Sequence, residues 1–228
     1  MAEGGDARKV KPEELKLVVD VPEVKAEIVS AGKLDVYVPS SAAPPPVVVF
    51  VHGPVPPDEV RPPRWPLYVG YCKLAAARGL AASTLDLDYF DFTRAAEAVP
   101  QLEAQIDAVR ALPRVDAGRV ALWAFSGGGL LVNRWLEQPT DWLRCIALSY
   151  PVLQPPPASV STPVVLTRVG LERPEIQQTV ERFLASVTPD LLIDVPNGQH
   201  AFDVLDDSDE SRKAIEEALE AVSRWQSS

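Results

Sequence analysis

Val47-Val48-Val49-Phe50-Val51 is an unbroken apolar run in which four of five residues are β-branched. Side chains alternate across a strand, so such a run has to bury both faces, which a strand does inside a largely parallel sheet covered by helices. Downstream, helix-like and strand-like segments alternate. A helix over 66–78 leads to a strand over 80–85, a helix over 93–112 to a strand over 119–125, and a helix over 127–138 to a strand over 144–149. A strand over 164–169, a helix over 174–186, a strand over 191–195 and a closing helix to about Trp225 complete the series. This order predicts an α/β doubly wound sheet with right-handed crossovers. Upstream, Lys25 to Val38 reads as a hairpin turning at Ala31-Gly32-Lys33. Residues 1–14 read as a flexible polar leader and 15–228 as a single domain, since 228 residues suit one core better than two.

Composition narrows the function classes. A formal net charge of −10 argues against a nucleic-acid partner, which calls for a basic face. The longest apolar run falls far short of the ~20 residues a membrane helix needs, and Met1 to Lys9 lacks a signal peptide's apolar stretch, so the expected location is cytoplasmic. Cys72 and Cys145 sit in apolar surroundings and read as buried free thiols. No clustered ligand set suggests a metal site. The acidic stretch Asp203 to Glu210 reads as a helix start, with carboxylates capping free N–H groups.

The chemistry centres on Ser126. It follows the apolar run Val120-Ala121-Leu122-Trp123-Ala124-Phe125 and precedes Gly127-Gly128-Gly129 and the helical stretch Leu130 to Leu136. A strand, a sharp turn of small residues and a helix would lift the serine hydroxyl clear of the sheet. The arrangement resembles the G-x-S-x-G nucleophile elbow of α/β-hydrolases, with Ala124 in place of the first glycine. A serine needs a base, and the chain has only two histidines. His200 follows the strand 191–195 and is the candidate base. His52, in Val51-His52-Gly53-Pro54, stands where α/β-hydrolases keep a His-Gly oxyanion motif and is read as a residue that orders its loop. Serine, acid and histidine fall in the chain order of that fold.

The resemblance extends from about Val47 to the C-terminal helix and is to compact α/β-hydrolases of the dienelactone hydrolase or carboxylesterase-like kind. It implies a mostly parallel sheet with helices on both faces and no large cap domain. It implies a small-molecule ester as substrate, cleaved through an acyl-enzyme, with no cofactor and no metal. Dienelactone-hydrolase-like members carry an Asp a residue or two beyond a glycine after the corresponding strand; Glu172, after Gly170, matches that position with Glu for Asp, which gives it the role of orienting His200. Glu175 and Asp203 are rivals. Oxyanion donors would be the N–H of Gly127 and one from the loop after His52; Pro54 has none, leaving Gly53 or Val55. The same machinery serves acyl transfer or thioester cleavage, and a non-catalytic binding protein of this fold is a third reading, favoured by Ala124 and Pro54. Two proline-rich loops, 54–66 and 150–163, follow strand ends and are expected to wall the pocket. Oligomeric state leaves no mark on the sequence.

Overall fold

A computed structural model describes residues 11, 14–138 and 140–227; of the expected leader only Lys11 and Glu14 lie among them. Eight strands form one sheet in the order β1-β2-β4-β3-β5-β6-β7-β8. They are β1 (Ala26–Ala31), β2 (Leu34–Pro39), β3 (Val47–Val51), β4 (Ala81–Thr84), β5 (Val120–Phe125), β6 (Leu143–Ser149), β7 (Val164–Leu171) and β8 (Leu191–Gln199). The first two make an antiparallel hairpin, and β2 meets β4 antiparallel; every pairing from β4 to β8 is parallel. Helices α1 (Pro66–Ala77), α2 (Ala95–Arg110), α3 (Gly129–Glu137), α4 (Pro174–Leu184), α5 (Phe202–Leu205) and α6 (Asp209–Gln226) fill the connections.

The alternation of β3 explains its composition. Val47, Val49 and Val51 enter the core beneath α2, α3 and α4, whereas Val48 and Phe50 enter the core beneath α1 and α6. All five are fully buried, each such side chain contributing about 1.5–3 kcal/mol relative to exposure. Strand β5 divides in the same way, with Leu122 and Ala124 on one face and Trp123 and Phe125 on the other. The result is an α/β sheet with helices on both faces.

The connection from β3 to β4 leaves on one side, and β5 returns on the other side of β3. The crevice between the C-terminal ends of β3 and β5 is therefore a topological switch point, the usual ligand site of open α/β sheets. Val51 pairs with Ala124 there, so His52-Gly53 and Ser126 emerge side by side.

Three expectations are corrected. The final strand continues four residues beyond Val195, through Pro196 to Gln199, because β7 also runs on to Leu171, past an irregularity between Val169 and Leu171, and pairs that residue with Gln199. The long helix expected over 93–112 is regular only from Ala95 to Arg110, with Phe92–Arg94 a 3-10 turn capped by Asp91. The acidic stretch 203–210 holds two structures. Helix α6 does begin among acids, capped by the Ser208 hydroxyl, but Asp203 lies earlier, in α5, and is fully buried. Among the described residues no helix is long and apolar enough to cross a membrane.

Candidate active site

Ser126 ends β5 at a 3-10 turn, Ser126–Gly128, that runs straight into α3. Its φ of +51° lies in the left-handed region, which costs a non-glycine residue roughly 1–3 kcal/mol and persists only where surrounding contacts enforce it. Those contacts are visible. A Cβ on Gly128 would stand 2.4 Å from the Val51 carbonyl oxygen, so only glycine lets the turn approach β3 this closely. Val152 N–H donates to the Ser126 carbonyl at 2.9 Å, and the buried Tyr89 hydroxyl donates to the Gly127 carbonyl at 3.2 Å.

Strands β7 and β8 deliver the partners. Leu171 and Gln199 are paired, so Glu172 and His200, the next residues on each strand, come out together. His200 Nε2 stands 2.8 Å from Ser126 Oγ, and His200 Nδ1 stands 2.5 Å from Glu172 Oε2. A carboxylate only accepts, so Nδ1 carries the proton and Nε2 is free to accept from the serine hydroxyl. Glu172 Oε1 also accepts from the Arg173 N–H at 2.8 Å. Burial pushes the Glu172 carboxyl up, but the bonds from His200 and Arg173, with their charge, outweigh it and hold the group below the usual glutamate value. The loop that carries the imidazole is itself pinned. Ala201 adopts φ +63°, and the Asp206 carboxylate accepts from Gln199 N–H at 2.7 Å and from Gln199 Nε2 at 2.6 Å.

The rivals stand elsewhere. Glu175 is exposed in the first turn of α4. Asp203 lies behind the histidine, accepting from the hydroxyls of Tyr71 at 2.9 Å and Tyr150 at 3.0 Å. Burial raises its carboxyl to about 6 against the pull of those two bonds. Tyr150 joins the two layers, its ring meeting that of His200 edge-on with centroids 4.9 Å apart. The sequence reading holds Tyr150 only as the first residue of a loop expected to wall the pocket, with no contact to the histidine. Its one signal is position, since it ends β6 before Pro151, at φ +39°, between the strands that carry Ser126 and Glu172.

His52 is fully buried. Its Nε2 accepts from the Leu87 N–H at 3.2 Å, so its Nδ1 bears the proton and donates to the Gly53 carbonyl at 2.6 Å. Burial, reinforced by Arg61, lowers its pKa to about 4 despite the Gly53 bond. The ring is thus neutral and stitches the loop after β3 to the loop after β4. Val55 N–H is consumed in the same seam, donating to the Tyr89 carbonyl at 2.8 Å. Of the two donors the sequence leaves open, that removes Val55. Gly53 lies against the elbow, where a Cβ on it would stand 3.2 Å from Gly127 N and 3.3 Å from Ser126 Cβ.

A cavity of about 360 Å³ opens over Ser126 and His200, walled by Trp65, Tyr68, Phe92, Phe125, Tyr150 and Val204. The first proline-rich loop supplies Pro54, Val55 and Trp65. The second is not a wall beyond Tyr150. It folds beneath the elbow instead, Val152 bonding Ser126 and Leu153 N–H bonding Thr179 Oγ1 at 3.2 Å. A further cavity, about 420 Å³, lies on the other side of Glu172 among Arg168, Gln177, Glu181 and Asp194, without Ser126 or His200. Among the described residues no group of three or more His, Cys, Asp or Glu is disposed to hold a metal ion.

Neither a protein-family model nor a curated protein sequence matches the chain. Solved structures do. A bacterial heroin esterase superposes with a TM-score of 0.68 at 18% identity, covering 86% of this chain and 80% of its own. MGS-M1, an α/β hydrolase enzyme from a Medee basin deep-sea metagenome library, gives 0.67 at 13% identity over 90% of this chain and 98% of its own. Thermogutta terrifontis esterase 2 phosphoramylated by tabun gives 0.62 at 19% identity over 90% and 95%. With the parallel sheet and its two helical layers, these likenesses establish that the chain has the α/β-hydrolase fold.

Proposed function

We propose that the chain is a serine hydrolase that cleaves a small carboxylic ester through an acyl-enzyme. One observation carries the reading: Ser126 Oγ, His200 and Glu172 form a continuous hydrogen-bonded line, at 2.8 and 2.5 Å, whose serine and histidine line a cavity. In the proposed reaction His200 Nε2 takes the hydroxyl proton as Ser126 Oγ attacks the ester carbonyl. Glu172 orients the ring and stabilises the imidazolium that forms. The N–H groups of Gly127 and Gly53 receive the oxyanion. Gly127 lies in the first helical turn, where a backbone N–H has no preceding carbonyl to bond. His200 then protonates the departing alcohol, and water, activated by the same nitrogen, releases the acid. Pro54 removes one backbone donor but leaves these two, so the loop retains a pair.

Support also comes from the three solved structures named above, two esterases and an α/β hydrolase, one of which bears an organophosphorus adduct. Among the described residues no large insertion interrupts the alternation of strands and helices, which fits the compact dienelactone hydrolase or carboxylesterase-like kind. A cavity near the lower end of the usual 300–1,000 Å³ range for small-molecule sites fits a short or single-ring ester. The test is a series of p-nitrophenyl esters of increasing acyl length. Turnover should be strongest for short acyl chains and fall as they outgrow the cavity. Hydrolysis of every ester no faster than by Ser126→Ala would overturn the proposal.

A further inference from the structure

Four tyrosines are buried in the core, and three have a hydroxyl partner. Tyr71 and Tyr150 donate to Asp203, and Tyr89 donates to the Gly127 carbonyl. Tyr68 is the exception. It is only 3% exposed, yet its hydroxyl makes no hydrogen bond with any described residue. Nor is its oxygen among the buried polar atoms sealed away without a partner. Tyr68 instead lines the cavity that holds Ser126 and His200. With no partner in the described protein, the hydroxyl is left to bond whatever occupies the cavity.

The placement is rigid. Tyr68 stands in the first turn of α1, its ring stacked on Trp65 at 5.9 Å and edge-on to Phe125 at 5.5 Å. Burial, with the Asp203 carboxylate nearby, pushes its pKa well above that of an ordinary phenol, so the group keeps its proton and acts as a donor. Apart from Ser126, His200 and the largely exposed Arg173, the wall around it is mostly aromatic or aliphatic, with Trp65, Phe92, Phe125, Leu67 and Val204.

We infer that the Tyr68 hydroxyl is a specificity-determining donor, and that the preferred substrates are esters of a flat, largely apolar group bearing one hydrogen-bond acceptor besides the ester itself. Aromatic walls accept the flat group, and the single buried donor selects for the acceptor. A site built to bond a polar substituent rejects an analogue that lacks it, because its own buried group is then left unpaired. This inference rests on the proposed esterase reading and adds the substrate class to it.

The experiment compares matched esters that differ only in the acceptor: 4-methoxyphenyl against 4-ethylphenyl acetate, and p-nitrophenyl 4-methoxybenzoate against its 4-ethyl counterpart. Each kcat/KM is divided by the hydroxide-catalysed rate of the same ester to remove intrinsic reactivity. The wild type should favour the methoxy member about three- to tenfold in at least one pair, the range of one neutral hydrogen bond. Tyr68→Phe should bring that ratio to about one. It should not lower Tm, because the removed oxygen bonds nothing in the protein. A ratio near one in the wild type for both pairs, or a preference that survives in Tyr68→Phe, overturns the inference while leaving the esterase reading intact. A wild type that hydrolyses none of the four faster than Ser126→Ala overturns the esterase reading and the inference with it.

Discussion

Asp203 provides a prediction whose sign is set by competing forces. The carboxylate is fully buried, and two tyrosine hydroxyls bond it. The bonds favour the charged form and burial opposes it; burial wins, raising the group from 3.8 to about 6. The folded protein therefore binds this proton more tightly than the unfolded chain. The stabilisation is fully present below about pH 4 and is lost as pH rises through about 6. Roughly two pH units at 1.36 kcal/mol each amount to about 3 kcal/mol, of which about 2 kcal/mol falls between pH 4 and 7. Asp203→Asn removes the titration while keeping an oxygen for the tyrosines, and its unpaired amide N–H adds an offset that does not vary with pH. Urea unfolding of both proteins from pH 4 to 8 isolates the effect. The wild type should lose about 2 kcal/mol relative to the variant across that range. Parallel curves, or a wild type that gains on the variant with rising pH, would refute the reasoning, since the hydroxyl bonds would then outweigh burial.

Further outcomes follow from the same geometry. Glu172→Gln should keep substrate KM but lower kcat by orders of magnitude, on the order of the 10⁴ seen for loss of a triad carboxylate, with far-UV circular dichroism unchanged. Glu175→Gln, on an exposed helix start, and Asp203→Asn should each change kcat less than roughly tenfold, ~1.4 kcal/mol of barrier. A collapse in either of those, with Glu172→Gln active, would move the acid's role. Gly128→Ala puts a Cβ 2.4 Å from the Val51 carbonyl oxygen, where backbone cannot swing aside, and should cost at least about 2 kcal/mol in urea unfolding; an unchanged midpoint would mean that the turn has room.

Much of this arrangement can be read locally, and what cannot is set by tertiary contacts. Ser126 is legible because a strand, a small-residue turn and a helix are contiguous in sequence. His200 is legible because histidines are few and it follows an apolar run, whereas Glu172 is reached only through the family resemblance, as the acid just beyond Gly170. Their alignment comes instead from the β7–β8 register, which carries Pro196 and Gly198 inside a strand, residues that ordinarily signal its end. Asp203 is opaque for a different reason. In sequence it opens an acidic run that resembles a solvated helix start, and its burial depends on Tyr71 and Tyr150, 132 and 53 residues away. Tyr68 is equally silent, an aromatic on a helix that is mostly core until the missing partner of its hydroxyl is seen. The second proline-rich loop shows the limit of reasoning by position, since following a strand end does not say whether a loop rises over the crevice or tucks beneath the elbow.

The central claim is that Ser126 is the nucleophile, and covalent capture tests it most directly. Incubated with a fluorophosphonate, the wild type should take up one adduct per chain, located to Ser126 by peptide mass spectrometry, with ester hydrolysis lost in step with labelling. Ser126→Ala should take up none and hydrolyse no ester above background. An adduct on another residue, or labelling and turnover that persist in Ser126→Ala, would contradict the account.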